Sequence, residues 1–417
     1  MRRRVVWGLG MGLVCGLIAA SVPFWPVRQP YDHKAAEQRF ANQNSKLVER
    51  GKYLAVMADC AACHQSPDGA PYAGGLGLET PFGTIYGSNI TPDKQAGIGK
   101  YSSSDFYHAL TDGIRPDGAF LYPAMPFISY HDMSQADSDA IFAYLNTQQA
   151  VVRKVPPNTL PFPFNQRWAL AYWRLVNPPI RLKGDPTALA GAYIADVLGH
   201  CQECHTPRNF MGGLVQSRAY QGASLGRITA PSLTPKALAD RGWTSEDIQS
   251  FLKKGMAPQG TMTLEMYPVL MHSSQYMQDA DIAALEVYLT KGRLPQSSAR
   301  TAAEPDQRAI TQSAGRDVYI SVCAGCHGLN GEGKPHIAPA MNINTSAMLA
   351  DPSNLIHVIV NGVAEQKMAD GEVMQAMPGF RTALSTQQIA DLVNYMRKEW
   401  GDQPADITSM EIERAQH

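Results

Sequence analysis

Three pairs of cysteines share one spacing in this sequence, and a histidine follows each pair directly. The cysteines are Cys60 and Cys63, Cys201 and Cys204, and Cys323 and Cys326, and the histidines are His64, His205 and His327. In a helical turn, side chains at positions i and i+3 lie on one face, and the side chain at i+4 lies beside them. Two thiols on one face can add to the two vinyl groups of one haem, while the adjacent imidazole presents a nitrogen to the iron. The C-x-x-C-H pattern is therefore typical of covalent attachment of haem c.

Other uses of paired cysteines explain this pattern less well. A zinc site needs four ligands drawn from two such pairs, and three pairs cannot be shared out evenly. Thioredoxin-like chemistry is expected in a βαβ setting, and neither it nor a disulfide within each pair accounts for the histidine that follows. We therefore predict three covalently bound haem c groups, with His64, His205 and His327 as the proximal ligands of the iron.

Methionine is the expected second axial ligand, because a histidine–methionine pair raises the haem potential and suits electron transfer. Met125 lies 65 residues after Cys60, and Met266 lies 65 residues after Cys201. Met377 repeats the Ala-Met-Pro string that surrounds Met125. We predict Met125, Met266 and Met377 as the sixth ligands. The alternatives are Met133 for the first site, Met262 or Met271 for the second, Met374 for the third, and the imidazoles of His131 and His272.

The sequence around each cysteine pair repeats, so the chain contains three copies of one module. Each copy opens with a segment that ends in C-x-x-C-H, continues through a long loop, and closes with an amphipathic segment. The opening segments are 51–64, 191–205 and 315–327, and the closing segments are 134–145, 278–289 and 385–396. Apolar residues at three- and four-residue spacing predict a helix in each closing segment, and Ser385 with Gln388 predicts a capping box. Tyr144, Tyr288 and Tyr395 recur at one position of these helices, where we expect them to pack against the opening helix.

The N-terminus predicts export. Arg2, Arg3 and Arg4 precede an uncharged run over residues 5–27. This order is typical of a secretory signal, and the run also reaches the roughly 20 residues that span a membrane. Residues 1–28 are therefore predicted to be a cleaved signal peptide or a retained anchor, with the rest of the chain exported. We interpret Cys15, within the run, as a buried apolar thiol.

Composition excludes one class of function and favours loop-rich domains. Lys and Arg total 36 against 37 for Asp and Glu, so the net charge of −1 gives no basic field to collect nucleic acid. The 35 Gly and 29 Pro favour short helices joined by long loops. Linkers are predicted over 147–186 and 290–314. The first linker carries Trp168, Tyr172 and Trp173, which we expect to pack between modules or to meet a partner or the membrane surface.

Several longer strings extend the pattern beyond the haem motifs. They are DCAACH, YAGGLGLETPFGTIYGSNITPD, GIGKY, DGIRPDGAFLYPAMPF, LPFPF, GHCQECHTPRNF, HSSQY and AMPGF. Through them, residues 45–400 resemble the cytochrome c subunit of the membrane-bound alcohol, aldehyde, gluconate and fructose dehydrogenases of acetic acid bacteria. The chain departs from this family at two places. The family commonly has Gly before the methionine at position 266 and an acidic residue two positions after it, whereas this chain has Glu265 and Pro268. The apolar N-terminal run is also longer than in the family.

The resemblance implies an all-α fold of three tandem class I cytochrome c domains, at 45–150, 187–292 and 310–400, after the N-terminal segment. It also implies a relay of electrons from a dehydrogenase subunit to membrane ubiquinone, at the periplasmic face of the bacterial inner membrane. The partner would carry flavin, pyrroloquinoline quinone or molybdopterin, and a small third subunit is a further expected partner. The chain itself would not act on the organic substrate. In agreement, the sequence has no G-x-G-x-x-G fingerprint after a predicted strand, and Gly8, Gly10 and Gly12 fall inside the apolar leader.

Two other functions remain open from the sequence. The chain could be a free-standing carrier that feeds a terminal oxidase or reductase, without a dedicated dehydrogenase. It could also be a haem peroxidase, which would need one iron without a strong sixth ligand.

Overall fold

The computed structural model describes residues 28–41, 45–182, 190–295 and 313–416, which form two compact units. The first unit ends at Lys183 and contains the first module, and the second begins at Gly184 and contains the other two. The predicted export segment and Cys15 lie outside the described residues, as do the predicted domain starts at 187 and 310. Within the described ranges, no helix is both long enough and apolar enough to cross a membrane.

The described chain is mostly helical, as the all-α prediction requires. The helices of the first unit are His33–Ala41, Ser45–Met57, Cys60–His64, Ser103–Thr111, Phe127–Tyr130, Gln135–Leu145 and Ala169–Val176. Those of the second are Ala190–Ala192, the π-helix Tyr193–Leu198, Gln202–His205, the 3₁₀ turn Gln216–Arg218, Pro235–Asp240, Ser245–Lys254, Met266–His272, the 3₁₀ turn Ser274–Tyr276, Asp279–Thr290, Ala314–Val322, Ala324–His327, Thr345–Met348, Ser353–Asn361, Thr386–Gly401 and Ser409–Gln416.

Strands are short and occur as four antiparallel pairs in the described ranges. They are β1 Gly77–Thr80 with β2 Gly83–Tyr86, β3 Ala223–Ser224 with β4 Thr229–Ala230, β5 Met256–Ala257 with β6 Gly260–Thr261, and β7 Gln366–Lys367 with β8 Val373–Met374. Each pair lies in the long loop between an opening and a closing helix. The loops are therefore shaped by turns and hairpins rather than by a continuous sheet.

One glycine in each opening helix lets the closing helix approach closely. These glycines are Gly51, Gly191 and Gly315, and a Cβ built on them would lie 1.8, 2.1 and 2.0 Å from a carbonyl oxygen of the closing helix. Only glycine fits such a contact, because real Cβ atoms do not approach backbone oxygens so closely. The same built Cβ atoms would lie 2.9, 2.8 and 2.7 Å from the Cβ atoms of Tyr144, Tyr288 and Tyr395. The predicted packing of these tyrosines against the opening helices is thus confirmed.

The ends and the irregular turns of the helices follow from the sequence. Ser385 accepts a hydrogen bond from the backbone N–H of Gln388, whose side chain accepts from the backbone of Ser385, so the predicted capping box is present. The glycine lies furthest from the first cysteine in the second module, because Gly191 precedes Cys201 by ten residues, whereas the spacing is nine for Gly51 in the first module and eight for Gly315 in the third. The π-helical turn at Tyr193–Leu198 accommodates the extra residue.

The aromatic cluster of the first linker folds back on the first unit. Trp173 is buried and lies edge-on to Phe127, with 6.3 Å between ring centroids. The guanidinium of Arg174 lies 5.0 Å from the centroid of the same Phe127 ring. Trp168 is more than half exposed, at 54%. The linker helix therefore buries one face against its own unit and leaves Trp168 at the surface.

Candidate haem-binding sites

Each C-x-x-C-H string coincides with a short helical turn. The turns are Cys60–His64, Gln202–His205 and Ala324–His327. In all three, the first cysteine is half-buried and the second is exposed. A helical turn of this kind is the local structure in which residues i, i+3 and i+4 lie on neighbouring positions of one face.

Each histidine that we predict as a proximal ligand is oriented by a backbone carbonyl. The Nδ1–H of His64 donates to the oxygen of Ser88 over 2.7 Å, that of His205 to Pro231 over 2.7 Å, and that of His327 to Pro339 over 2.9 Å. A carbonyl can only accept, so each bond places the proton on Nδ1 and leaves the lone pair on Nε2. Fixing the tautomer and the ring through the second nitrogen is the usual support for a metal-ligating histidine.

Burial shifts the pKa values of the histidines and of the first cysteine of each pair. Burial lowers the pKa of His64, His205 and His327, and the bonds to the carbonyls oppose this only in part. The imidazoles are therefore neutral at pH 7, which is the form that binds iron. Burial also raises the pKa of the first thiol of each pair. It reaches about 12 for Cys60, about 12 for Cys201 and about 11 for Cys323, so these sulfurs stay protonated as thiols.

The three predicted methionine ligands occupy different local settings. Met377 is fixed by a backbone bridge to Val363, with hydrogen bonds of 2.8 and 2.9 Å. Met125 donates its backbone N–H to the oxygen of Tyr122 over 3.0 Å. Met266 is the first residue of helix Met266–His272. All three side chains are half-buried.

The alternative ligands divide into buried and half-buried groups. Met133 and Met262 are almost completely buried, at 2% and 0% exposure, and Met262 belongs to an apolar cluster. Met271 and Met374 are half-buried. The Nδ1–H of His131 bonds to the oxygen of Thr111 over 2.9 Å, and its buried Nε2 has no partner among the described residues. Burial lowers the pKa of His272.

The family model for cytochrome c matches residues 48–149 and 312–400. The chain is 36% identical to the cytochrome c subunit of the quinone-dependent alcohol dehydrogenase of Gluconobacter oxydans, over 88% of this chain and 82% of that protein. It is 35% identical to the gluconate 2-dehydrogenase cytochrome c subunit of Pantoea cypripedii, over 88% and 89%. It is 34% identical to the fructose dehydrogenase cytochrome subunit of Gluconobacter japonicus, over 88% and 82%.

The chain belongs to the family of dehydrogenase cytochrome c subunits. Covalently bound haem c is implied by this membership, and the residues described above fit it. The half-buried and exposed thiols of each pair, together with a neutral histidine whose Nδ1 is already bound, form the donor set that haem c requires.

Two buried carboxylates of this cytochrome c subunit were not predicted from the sequence. Asp59 directly precedes Cys60 in a left-handed backbone conformation, and its buried Oδ1 has no hydrogen-bond partner among the described residues. Burial raises the pKa of Asp59 to about 8. Asp196, near Cys201, accepts hydrogen bonds from Tyr288 at 2.5 Å, from Gln202 at 2.8 Å and from Tyr220. Acidic residues are mostly solvent-exposed in proteins, so nothing in the sequence pattern marked these two.

Two arginines of the first two modules, Arg115 and Arg208, form ion pairs within their own loops. Arg115 forms an ion pair with Asp117 at 3.0 Å, and Arg208 forms one with Glu203 at 2.7 Å. Arg208 also donates to the oxygen of Gly212 over 2.8 Å. Both side chains are therefore held close to their own loops.

Proposed function

We propose that this chain is a triheme cytochrome c that relays electrons from a partner dehydrogenase to membrane ubiquinone. The observation that carries the proposal is the repetition of one histidine geometry at three C-x-x-C-H turns, in a chain that belongs to a family of dehydrogenase cytochrome subunits. A chain with three such turns has the means to hold three redox centres in series. The chain does not itself oxidise the organic substrate.

The proposed sites are one per module. Cysteines attach each haem covalently, the histidine is the proximal ligand of the iron, and a methionine is the distal ligand. The residues are Cys60, Cys63, His64 and Met125 for the first haem, Cys201, Cys204, His205 and Met266 for the second, and Cys323, Cys326, His327 and Met377 for the third. The three cytochrome domains correspond to 45–150, 187–292 and 310–400.

Haem c, when bound, supplies one-electron oxidation and reduction at iron. The protein fixes the position of each haem through two cysteines. It sets the orientation of each histidine ligand through the hydrogen bond from Nδ1 to the backbone oxygen of Ser88, Pro231 or Pro339. A methionine ligand raises the haem potential relative to a second imidazole. Position and potential are the two quantities that an electron relay requires of its protein.

The relatives' names support a dehydrogenase as the electron donor, because they are cytochrome subunits of alcohol, gluconate and fructose dehydrogenases. We propose a flavin, pyrroloquinoline quinone or molybdopterin enzyme as this partner, together with a small third subunit. The uncharged run over residues 5–27, behind three arginines, supports a place at the periplasmic face of the inner membrane.

Three measurements test the proposal. The haem-to-protein ratio of the purified chain should be three, and a smaller ratio would contradict the triheme assignment. Affinity purification from detergent-solubilised membranes should recover a dehydrogenase subunit in stoichiometric amount. Recovery of the chain alone, still reducible by a soluble donor, would favour the free-standing carrier. Peroxide turnover with a five-coordinate haem spectrum would favour the peroxidase.

A further inference from the structure

The second and third modules are joined by specific polar contacts inside the second unit. The backbone N–H of Thr229 donates to the side chain of Asn354 over 2.8 Å, and the amide of Asn354 donates back to the oxygen of Thr229 over 2.8 Å. The indole N–H of Trp243 donates to the hydroxyl of Thr345 over 3.1 Å, and the backbone N–H of Thr345 donates to the oxygen of Gln259 over 2.9 Å. These reciprocal bonds fix one module against the other in a single register.

An apolar cluster rich in methionine lies across the same contact, and we call it the methionine junction. Its buried residues are Met262, Leu270 and Met368, and the residues packed against them are Phe251, Leu252, Met256, Met266, Tyr267 and Met374. Five of these nine side chains are methionines. Met368 and Met374 come from the third module, and the others come from the second.

The junction connects the two loops that carry the proposed distal ligands. Met266, the proposed ligand of the second haem, packs against its buried residues. On the other side, Met368 and Met374 belong to the β7–β8 hairpin region, and Met377, the proposed ligand of the third haem, follows Met374 by three residues. The junction therefore includes Met266 itself, and it reaches the loop of Met377 through Met368 and Met374, while Met377 packs against the core of the third module.

Tyr267 ties these loops together by hydrogen bonds as well. Its hydroxyl donates to the backbone oxygen of Lys367 over 3.2 Å and accepts from the backbone N–H of Lys367 over 3.1 Å. Tyr267 adjoins Met266 in the chain, and Lys367 adjoins Met368. A movement of one ligand loop is thus transmitted directly to the other.

The packing around Met368 is tight. Met368 is 2% exposed, and a Cβ built on Gly255, which has a φ of +85°, would lie 3.0 Å from its sulfur and 2.4 Å from Leu270. The thioether is polarisable and adapts to such irregular surfaces. A void at this place would forfeit contacts on both sides, because interiors are close-packed.

We propose that the methionine junction is the contact through which the second and third haems exchange electrons, with Met368 as its positioning residue. The proposal rests on the proposed function. In the exchange, one electron leaves the ferrous iron of one haem, which is oxidised, and reduces the ferric iron of the other. No covalent bond and no proton changes place. Met368 binds neither iron but holds the two ligand loops in contact.

The experiment uses the full triheme chain with Met368→Ala, which opens a cavity, and Met368→Leu, which nearly conserves volume. The readouts are the electron paramagnetic resonance signals and potentials of the individual haems, and the rate of electron redistribution after rapid partial reduction. Met368→Ala should shift the signals of both the second and the third haem and abolish the fast phase of exchange between them. Met368→Leu should restore that phase.

Matched controls separate this role from ordinary core packing. Met277 and Met396 are equally buried, at 4% and 3%, but lie outside the junction, in the second and third modules respectively. Met277→Ala should alter only the second haem, and Met396→Ala only the third. Tyr267→Phe keeps the apolar ring and removes the bonds to Lys367, so it should slow the exchange even if Met368→Ala fails to fold.

The inference is overturned if Met368→Ala perturbs the third haem alone and leaves the exchange unchanged, or if a folded Tyr267→Phe variant exchanges as fast as the unmodified chain. Failure of the proposed function would be visible separately. The unmodified chain would then contain fewer than three haems, a result that overturns both.

Discussion

At the scale of single residues, the histidines carry the clearest functional geometry. Each of the three imidazoles donates from Nδ1 to a carbonyl oxygen, and these oxygens lie 24, 26 and 12 residues further along the chain. The C-x-x-C-H pattern singles out the histidines, but it could not predict Ser88, Pro231 and Pro339 as their partners. The accepting atoms belong to the backbone, so no residue type common to all three copies marks them, and their separation from the histidine differs in every copy.

Replacing the proposed distal ligand of the second haem tests its assignment. Met266→Ala should remove the thioether from iron, lower the potential of that haem and change its visible spectrum, because a histidine–methionine pair has the higher potential. The measurement is a redox titration followed by optical spectroscopy. Met271→Ala, at a half-buried methionine of the same helix, is the control. If the potential and spectrum of the second haem are unchanged in Met266→Ala but altered in Met271→Ala, Met271 is the ligand instead.

The buried carboxyl of Asp59 predicts a pH dependence of stability. Burial raises its pKa in the folded chain to about 8, from an ordinary value of 3.8. Between these values the folded protein holds a proton that the unfolded chain has released, so the free energy of unfolding should fall as pH rises from about 4 to about 8. Asp59→Asn should flatten this slope. Denaturant unfolding at several pH values measures it, and equal slopes in the two proteins would show that Asp59 ionises normally.

At the scale of secondary structure, close helix packing at one glycine recurs in every module. The amphipathic period of the closing segments and the capping box at Ser385 were sufficient to predict the helices. The glycine contact was not predicted, because a Gly in an opening segment has no pattern of its own until the partner helix is in place. The π-helical turn at Tyr193–Leu198 was missed for a related reason: one extra residue is compatible with several local conformations.

Adding a methyl group at this contact should separate the two helices. A Cβ at residue 315 would lie 2.0 Å from the oxygen of Asp391, so Gly315→Ala should reduce the free energy of unfolding by about 3 kcal/mol. Gly325→Ala is the matched control in the same module, because no atom lies within 4 Å of its built Cβ. It should be neutral or stabilising by up to about 1 kcal/mol. Thermal unfolding of both variants decides the matter, and equal effects would refute the packing argument.

At the scale of the whole molecule, the three modules are not equivalent. The repeat in the sequence predicted three modules, but it gave no sign that the second and third would share one compact unit. The contacts that join them connect residues more than a hundred positions apart, such as Thr229 with Asp351 and Asn354. No periodicity encodes such a pair, so only the folded chain shows it.

The contact between the second and third modules should become weaker at acidic pH. The carboxylate of Asp351 accepts a hydrogen bond from the hydroxyl of Thr229 at 2.5 Å. Burial alone would raise its pKa, but the bonds from Ser353 and Thr229 outweigh this and lower it. A lowered pKa adds stability above the ordinary pKa of Asp, and this is lost as pH falls through the folded-state value.

Asp351→Asn tests the same bond at neutral pH. The variant should be less stable than the unmodified chain by about 1 kcal/mol at pH 7, since the group is partly exposed to solvent. The difference should be smaller at pH 3, because it declines as pH falls below the ordinary Asp pKa of 3.8 towards the lower folded-state pKa of Asp351. Urea unfolding of the second unit at both pH values is the measurement. A stability difference that is the same at pH 7 and pH 3 would exclude the charge of Asp351 as its source.

The reciprocal bonds between Thr229 and Asn354 also affect how the polypeptide can be divided. The segment between the second and third modules, near residues 296–312, is the obvious place to cut when the motif repeat alone is considered. A cut there would leave Met262 and Leu270 on one fragment and Met368 on the other, and each fragment would present an uncovered apolar surface to water. Truncated proteins made for biochemistry should instead be divided at residues 183–189, so that the last two modules are produced together.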